Sequence, residues 1–161
     1  MKGDAEMRRD DREVKNLEEI YDILDRCDTI RVAMHGGEYP YVIPMTFGCE
    51  LKDGSITVYF HSAGEGRKWD ILTKDPRVCV EADKYYQVKR TDDGEITAVY
   101  ESVIGTGEAE LLTEQADKVA ALKVMLAKYK ESGFPVTSCH GLPKVEVFRI
   151  VLNEVTGKRN K

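Results

Sequence analysis

The sequence predicts a mainly β protein, an antiparallel β-barrel of six strands with helices on its periphery. Two observations lead to this fold class. Apolar and polar residues alternate over much of the chain, which is the pattern of strands with one buried face, and short turn sequences join most of these segments. The regular strand and helix alternation of a parallel α/β sheet is lacking, so hairpin-connected strands that close into a barrel fit best.

The chain opens with a charged stretch and a helix. Residues 1–12 are nearly all charged or small, so we expect a flexible leader in front of one domain over residues 13–161. Asn16 and Glu19 then have the spacing of a helix N-cap and its reciprocal partner. The predicted helix ends near Cys27. Its apolar stripe at helical spacing consists of Leu17, Ile20, Tyr21 and Leu24.

Three strands follow as a meander. The first covers residues 30–34, the second residues 39–51 and the third residues 55–61, with Asp53 and Gly54 forming the second turn. One face of the second strand carries Tyr41, Ile43, Met45 and Phe47.

Two prolines mark one side of the second strand. Pro40 and Pro44 are evenly spaced, so the N–H groups that they lack fall along the same side of the ladder. That side is predicted to be an edge or a bulge. Unpaired backbone there needs another partner, and a planar ligand rich in acceptors would supply it.

The second half of the chain contains the remaining strands. We predict a short helix over residues 67–73, a strand over residues 77–82, a charged exposed hairpin and a long strand over residues 96–111. Thr113 is predicted to cap a second amphipathic helix, and Pro143 to open the last strand. The helix face carries Val119, Leu122, Leu126 and Tyr129. In the last strand, Val147 and Phe148 break the alternation, which predicts a bulge.

Composition excludes several classes of protein. The net charge of -5 argues against a general nucleic-acid-binding protein, which needs an excess of Lys and Arg. No apolar run approaches the length of a membrane span, and the N-terminal residues are too polar for a signal peptide. We therefore expect a cytoplasmic protein without membrane or nucleic-acid partners.

The cysteines do not indicate a metal centre. They are widely spaced and form no Cys-x-x-Cys pair, so neither a zinc site nor a redox dithiol is predicted. Reduced thiols are the default in a cytoplasmic protein, although four cysteines leave a disulfide open in principle. They are Cys27, Cys49, Cys79 and Cys139.

The most informative segment lies where the third strand ends and the short helix begins. Arg67 and Lys68 fall in the first helical turn, where the helix dipole disfavours cations by roughly 0.3–1 kcal/mol. A bound anion would make the position favourable for the two cations, and Ser62 together with Arg67 and Lys68 would form a phosphate site. The alternative is a solvated basic turn balanced by Glu65 or Asp70. The residues alone do not choose between them.

Five segments, in this order and spacing, resemble the FMN-binding split-barrel family related to pyridoxamine 5'-phosphate oxidase. They are residues 39–47, 58–68, 75–78, 102–110 and 154–159, and the resemblance runs along nearly the whole predicted domain. The Gly-Arg-Lys and Thr-Gly-Lys-Arg sequences within them are most similar to the branch related to nitroimidazole-resistance proteins. The resemblance implies a split barrel and a bound FMN.

Site residues follow from the same resemblance. It implies that His61 and Ser62 contact the ring and ribityl chain, that Arg67 and Lys68 hold the phosphate, and that Ser102 reaches the flavin from a partner subunit. The second strand would lie along the isoalloxazine ring with Tyr41, Val42, Ile43, Pro44, Met45 and Thr46. A homodimer with FMN at its interface is therefore expected.

The resemblance also implies an activity, with one alternative. We expect an FMN-dependent oxidoreductase that takes hydride from NAD(P)H and reduces a small electrophile, for example a nitroaromatic such as a nitroimidazole. His61 is the candidate catalytic residue, as a proton donor or anion binder; the other interpretation is an ordinary surface histidine. The alternative function is a non-enzymatic carrier or sensor of flavin or heme.

Two positions depart from the oxidases that give the family its name. Ser102 replaces their Gln, and Thr46 replaces a Lys directed at phosphate. The C-terminus also lacks their signature for the substrate phosphate. The resemblance therefore does not extend to oxidation of pyridoxamine phosphate.

Overall fold

The computed structural model describes residues 7–161; residues 1–6 of the expected leader lie outside the described part. Within it are three α-helices and eight β-strands. The helices are α1 (Leu17–Arg26), α2 (Arg67–Leu72) and α3 (Gln115–Lys128). The strands are β1 (Glu13–Val14), β2 (Ile30–Met34), β3 (Tyr41–Met45), β4 (Gly48–Lys52), β5 (Ser55–Ser62), β6 (Arg77–Arg90), β7 (Ile96–Leu111) and β8 (Glu146–Asn160).

All strands belong to one antiparallel sheet. Seven of them follow the order β3-β2-β6-β7-β8-β5-β4, and β1 pairs with β8. Strands β3 and β4 are neighbours in sequence but lie at opposite ends of this order. The chain therefore crosses between the two ends of the sheet at Thr46 and Phe47, which curls the sheet into a split barrel. The predicted fold class is confirmed.

The strand number differs from the predicted six for two reasons. The short strand β1 pairs with Gly157 and Lys158 of β8 and has no alternating pattern of its own. The predicted second strand is in fact two strands, because Phe47 donates its backbone N–H to the Tyr129 hydroxyl at 3.1 Å. After that break the chain pairs with β5 instead of β2.

Strand β3 lies at one end of the strand order, which confirms the edge predicted from Pro40 and Pro44. Its alternation also follows the prediction. Tyr41, Ile43 and Met45 pack against the core, whereas Val42 and Pro44 face outwards.

The barrel core is aromatic at its centre. Phe60 and Phe148 stack with ring centroids 5.2 Å apart, and Trp69 meets Phe148 edge-on at 6.0 Å. Full burial of such a side chain contributes about 1.5–3 kcal/mol. Helix α1 covers one side of the core with Ile20, Ile23 and Leu24, and the Asn16 side chain accepts a hydrogen bond from the Glu19 N–H at 2.9 Å, as predicted.

Strand β8 is buried on both faces at Val147 and Phe148, which corrects the predicted bulge. Phe148 belongs to the barrel core, whereas Val147 belongs to a second apolar cluster beneath α3. Both residues are therefore buried without any change of register. The bulge in β8 lies instead at Asn153, which the ladder to β7 skips.

Three element boundaries also differ from the predictions. The last strand begins at Glu146, because Pro143 lies in a 3-10 turn. Helix α3 begins at Gln115 with Glu114 in the N-cap position and no side-chain cap, so Thr113 lies outside it. Strand β6 extends to Arg90, since its ladder with β7 continues through the predicted exposed hairpin.

Candidate functional site

Three elements of the barrel meet at one side of β3. Strand β3 presents Tyr41 and Met45, strand β5 carries His61 one residue before its end, and helix α2 begins with Arg67 and Lys68. The period of two in β3 places Tyr41 and Met45 on the same face, four residues apart, and each contacts one of the two cations. We call Tyr41, Met45, Arg67 and Lys68 the α2 cluster.

Arg67 is held by an aromatic ring and a backbone carbonyl. Its guanidinium carbon lies 4.4 Å from the centroid of the Tyr41 ring, and Nη2 donates a hydrogen bond to the Gly36 carbonyl at 3.5 Å. Gly36 itself packs closely on Tyr41, because a Cβ at Gly36 would lie 2.7 Å from the Tyr41 Cβ. The guanidinium keeps most of its donors free for a ligand.

Lys68 occupies a partly apolar position. Its Nζ lies 3.6 Å from the Met45 sulfur and 5.8 Å from the centroid of the Phe60 ring. Burial lowers the pKa of Lys68. Within residues 7–161, neither Arg67 nor Lys68 forms an ion pair, and so Glu65 and Asp70 do not balance the two charges.

The loop before α2 is tightly turned. Gly66 has a φ of 97° and precedes the helix without any side-chain cap. Ser62, predicted to contact the ligand, is buried, and its hydroxyl donates to the Ala63 carbonyl at 2.7 Å. Its side chain is therefore already engaged with local backbone, whereas the two cations are free.

His61 lies beside the α2 cluster at the end of β5. The residue is exposed and pairs through the ladder with Val147 of β8. Its imidazole has no hydrogen-bond partner among the described residues. Partial desolvation and then the positive charge of Lys68 lower the pKa of His61, so the ring is neutral at pH 7. A neutral imidazole can accept a proton or a hydrogen bond.

A cavity of about 270 Å³ opens next to His61. Thr46 and His61 line one side, while α3 and residues 134–145 supply apolar walls. Gly48 allows α3 to pack closely on β4, because a Cβ at that position would lie 2.7 Å from the Met125 backbone nitrogen. Three residues of the predicted α3 face, Leu122, Leu126 and Tyr129, face this cavity.

The remaining predicted site residues do not meet the α2 cluster within a single protomer. Val42 and Pro44 point away from the α2 cluster, and Ile43 packs into the core. Ser102 lies on β7, separated from β3 by β2 and β6, opposite Asp83 and Lys158. A contribution of Ser102 from a partner subunit stays a prediction.

Sequence reasoning missed the cavity and a buried ionic network. Glu101, which is buried, accepts hydrogen bonds from Arg26 at 2.9 Å, Tyr86 at 2.8 Å and Arg159 at 2.5 Å. Arg159 also contacts Glu19 at 2.7 Å. We call this set the Glu101 network. The signal was present, because the alternation in β7 that buries Val103 also turns Glu101 inwards.

All four cysteines are free thiols. Among residues 7–161, no helix has both the length and the apolar character needed to cross a bilayer.

Comparison with solved structures supports the fold assignment. A candidate 5-nitroimidazole antibiotic resistance protein from Bacteroides thetaiotaomicron superposes with a TM-score of 0.81 at 26% identity, covering 91% of this chain and 85% of that one. A FAD- and heme-binding protein from Mycobacterium smegmatis gives 0.78 at 16% identity, covering 93% and 74%. A FAD-binding protein from Mesorhizobium loti gives 0.65 at 22% identity, covering 91% and 96%.

Comparison at the level of sequence gives the family. No match was found among curated proteins. The family model described as pyridoxamine 5'-phosphate oxidase matches residues 16–159, which is nearly the whole described chain. The order of the matching segments, the split barrel and this match agree, and the chain therefore belongs to the pyridoxamine 5'-phosphate oxidase family.

Proposed function

We propose that the protein binds FMN at the α2 cluster and acts as an NAD(P)H-dependent oxidoreductase that reduces a small electrophile such as a nitroaromatic compound. The observation that carries the proposal is the pair of unpaired cations, Arg67 and Lys68, fixed beside the ligand-facing strand of a split barrel. Family membership and the superposition on FAD-binding proteins support a flavin as the ligand.

The residues present fit the phosphate of FMN. Arg67 offers bidentate donors and Lys68 a point charge, and neither is neutralised by a carboxylate within residues 7–161. A dianionic phosphate would also relieve the cost of keeping Lys68 charged in a partly apolar position.

Strand β3 suits the flat part of the ligand. Its outer edge is unpaired in the described sheet, so its backbone groups are available to the polar edge of an isoalloxazine ring. Thr46, directly after β3, and His61, near the end of β5, line the cavity beside α3, next to the position proposed for the ring. When bound, the flavin would supply hydride chemistry, and the neutral His61 would hold or transfer a proton at its ring nitrogen.

We also propose a homodimer in the cytoplasm, with Ser102 of the partner subunit approaching the flavin. Val42 and Ile104 are exposed by 52% and 48% on the outer face of the sheet. A row of uncharged residues crosses that face, in which Val42, Ala33, Cys79 and Thr106 lie opposite one another on successive strands. This uncharged row lies beside Arg31, whose charge is paired with Glu81 and Asp83 on the same face, and its exposed apolar residues suit burial against a second copy.

The absorbance spectrum of the purified protein tests the ligand. We expect flavin bands, and rapid bleaching of those bands when NADPH or NADH is added without oxygen. Colourless protein that takes up no added FMN would overturn the proposal. A Soret band would favour the alternative, a heme carrier or sensor, to which the superposition on a FAD- and heme-binding protein draws attention.

Light scattering tests the assembly. We expect the mass of a dimer for the flavin-loaded protein, and a stable monomer that retains FMN would contradict the shared site.

A further inference from the structure

We infer that the cavity beside His61 is a second ligand pocket, separate from the α2 cluster, and that it binds a small neutral aromatic molecule. Its role as the pocket of the reduced substrate rests on the proposed function. The pocket itself is argued from its size, its walls and its position.

Size sets the class of ligand. The cavity volume is about 270 Å³. An apolar cavity of roughly 150 Å³ is enough to hold benzene, and drug-sized ligands occupy roughly 300–1,000 Å³. The pocket therefore holds one substituted ring or a small fused ring.

The walls exclude charged ligands. Helix α3 contributes Leu122, Met125 and Leu126, and the segment after it contributes Val136 and Leu142. Among residues 7–161, no Asp, Glu, Lys or Arg lines the cavity. An ion placed there would lose its hydration without gaining a partner, which is strongly unfavourable.

Polar contact is restricted to one side. The Tyr129 hydroxyl is already bonded, since it accepts from the Phe47 N–H at 3.1 Å and donates to the Asp28 carbonyl at 2.8 Å. Thr46 and His61 are left to meet a polar substituent. The positive charge of Lys68 acts on the His61 imidazole, so His61 is electrostatically coupled to the α2 cluster. An aromatic ring seated against α3 would thus turn its polar edge towards the flavin proposed above.

The test uses methionine methyl NMR on the full-length protein. Met125 lines the pocket and Met45 belongs to the α2 cluster, so one labelled sample reports on both sites. Toluene, benzoate and benzylammonium are titrated as neutral, anionic and cationic probes of similar size. We expect a saturable shift of the Met125 methyl with toluene, and binding of both ions weaker by at least about tenfold.

Two glycines in the same segment give a matched pair of variants. Gly141 lines the pocket in an ordinary backbone conformation, and a Cβ there meets nothing nearer than the Cys139 sulfur at 3.7 Å. A Cβ at Gly133 meets nothing within 4 Å, and Gly133 does not line the pocket. Gly141→Leu should fill part of the pocket and weaken toluene binding by about tenfold or more, whereas Gly133→Leu should change it by less than about twofold.

Three results would overturn the inference: no saturable shift of Met125 with toluene, equal binding of the charged probes, or equal loss in the two glycine variants. Addition of FMN separates this failure from failure of the proposed function. If FMN shifts Met45 but toluene leaves Met125 unchanged, the flavin site stands and the pocket does not. If toluene shifts Met125 but FMN leaves Met45 unchanged, the pocket stands and its role in reduction does not.

Discussion

The α2 cluster and the Glu101 network both gather two cations, but they use them in opposite ways. In the network, Arg26 and Arg159 share one buried carboxylate, so each charge has a partner inside the fold. In the cluster, Arg67 and Lys68 rest on an aromatic ring and a thioether and have no carboxylate among the described residues. The paired cations thus stabilise the fold, whereas the unpaired cations are available to a ligand.

The two regions also differ in what their removal should cost. A buried carboxylate that accepts three hydrogen bonds is tied to the folded state, and its loss leaves Arg26 without its carboxylate and Arg159 with Glu19 alone. A cation that lacks a partner contributes little to the stability of the fold, so its loss should weaken only the binding of the anion.

The largest expected effect is on FMN binding. Replacing Arg67 and Lys68 together by Ala removes two charge-assisted contacts to phosphate, worth about 3 kcal/mol, and should weaken FMN binding by about 100-fold or more. Riboflavin, which lacks the phosphate, should lose less than about threefold. Titration followed by flavin fluorescence measures both.

A double variant with the same change in net charge controls for general electrostatics. Lys74→Ala with Lys123→Ala removes two exposed lysines and should leave both affinities nearly unchanged. Equal losses of FMN and riboflavin in the Arg67 and Lys68 variant would contradict the phosphate assignment.

The next effect is on stability. Glu101→Ala should lower the free energy of unfolding by about 2–3 kcal/mol, because Arg26 and Arg159 lose their shared acceptor in a partly buried site. Glu110→Ala breaks a surface pair with Arg149 and should cost less than about 1 kcal/mol. Urea unfolding of the two variants measures the difference, and equal losses would show that burial adds nothing to the network.

A smaller effect of the same network appears as pH dependence. The hydrogen bonds from Arg26, Tyr86 and Arg159 outweigh burial and lower the pKa of Glu101 from its usual value of 4.5. The folded state therefore favours the carboxylate. Its stabilisation is complete above pH 4.5 and is lost as the pH falls through the folded-state pKa. The stability advantage over Glu101→Gln should shrink on acidification; a constant advantage would argue against this linkage.

The smallest effect concerns His61. Lys68→Met removes a nearby positive charge and should raise the pKa of His61 towards its usual value, although burial keeps it lowered. Histidine NMR as a function of pH measures the shift. Lys123→Met, on the exposed side of α3, should leave the His61 titration unchanged. An unchanged titration in the Lys68 variant would show that the two residues are electrostatically independent.

Local features of the fold were predictable from sequence. The Asn16 cap depends on residues three apart, and the turn at Asp53 and Gly54 depends on two residues that both adopt positive φ. The break at Thr46 and Phe47 was not predictable in this way. The alternation of Met45 and Phe47 runs straight through it, and the break is fixed by the Tyr129 hydroxyl, 82 residues away in the chain.

In the candidate site, too, local features were predictable from sequence and long-range ones were not. Arg67 and Lys68 were found because cations in the first turn of a helix are locally unfavourable, a property visible in a few residues. The Glu101 network joins side chains from both ends of the chain, so only the folded sheet brings it together. The cavity likewise requires the packing of α3 on β4, which the apolar face of α3 indicates but does not locate.

The close contact at Gly48 makes the shape of the cavity sensitive to a substitution at a residue that does not line it. A side chain there would meet the backbone of Met125 and displace α3, which forms a wall of the cavity. Arg67, Lys68 and Tyr41 lie on other elements and would keep their contacts. A substitution at Gly48 would therefore change the cavity and leave the α2 cluster in place.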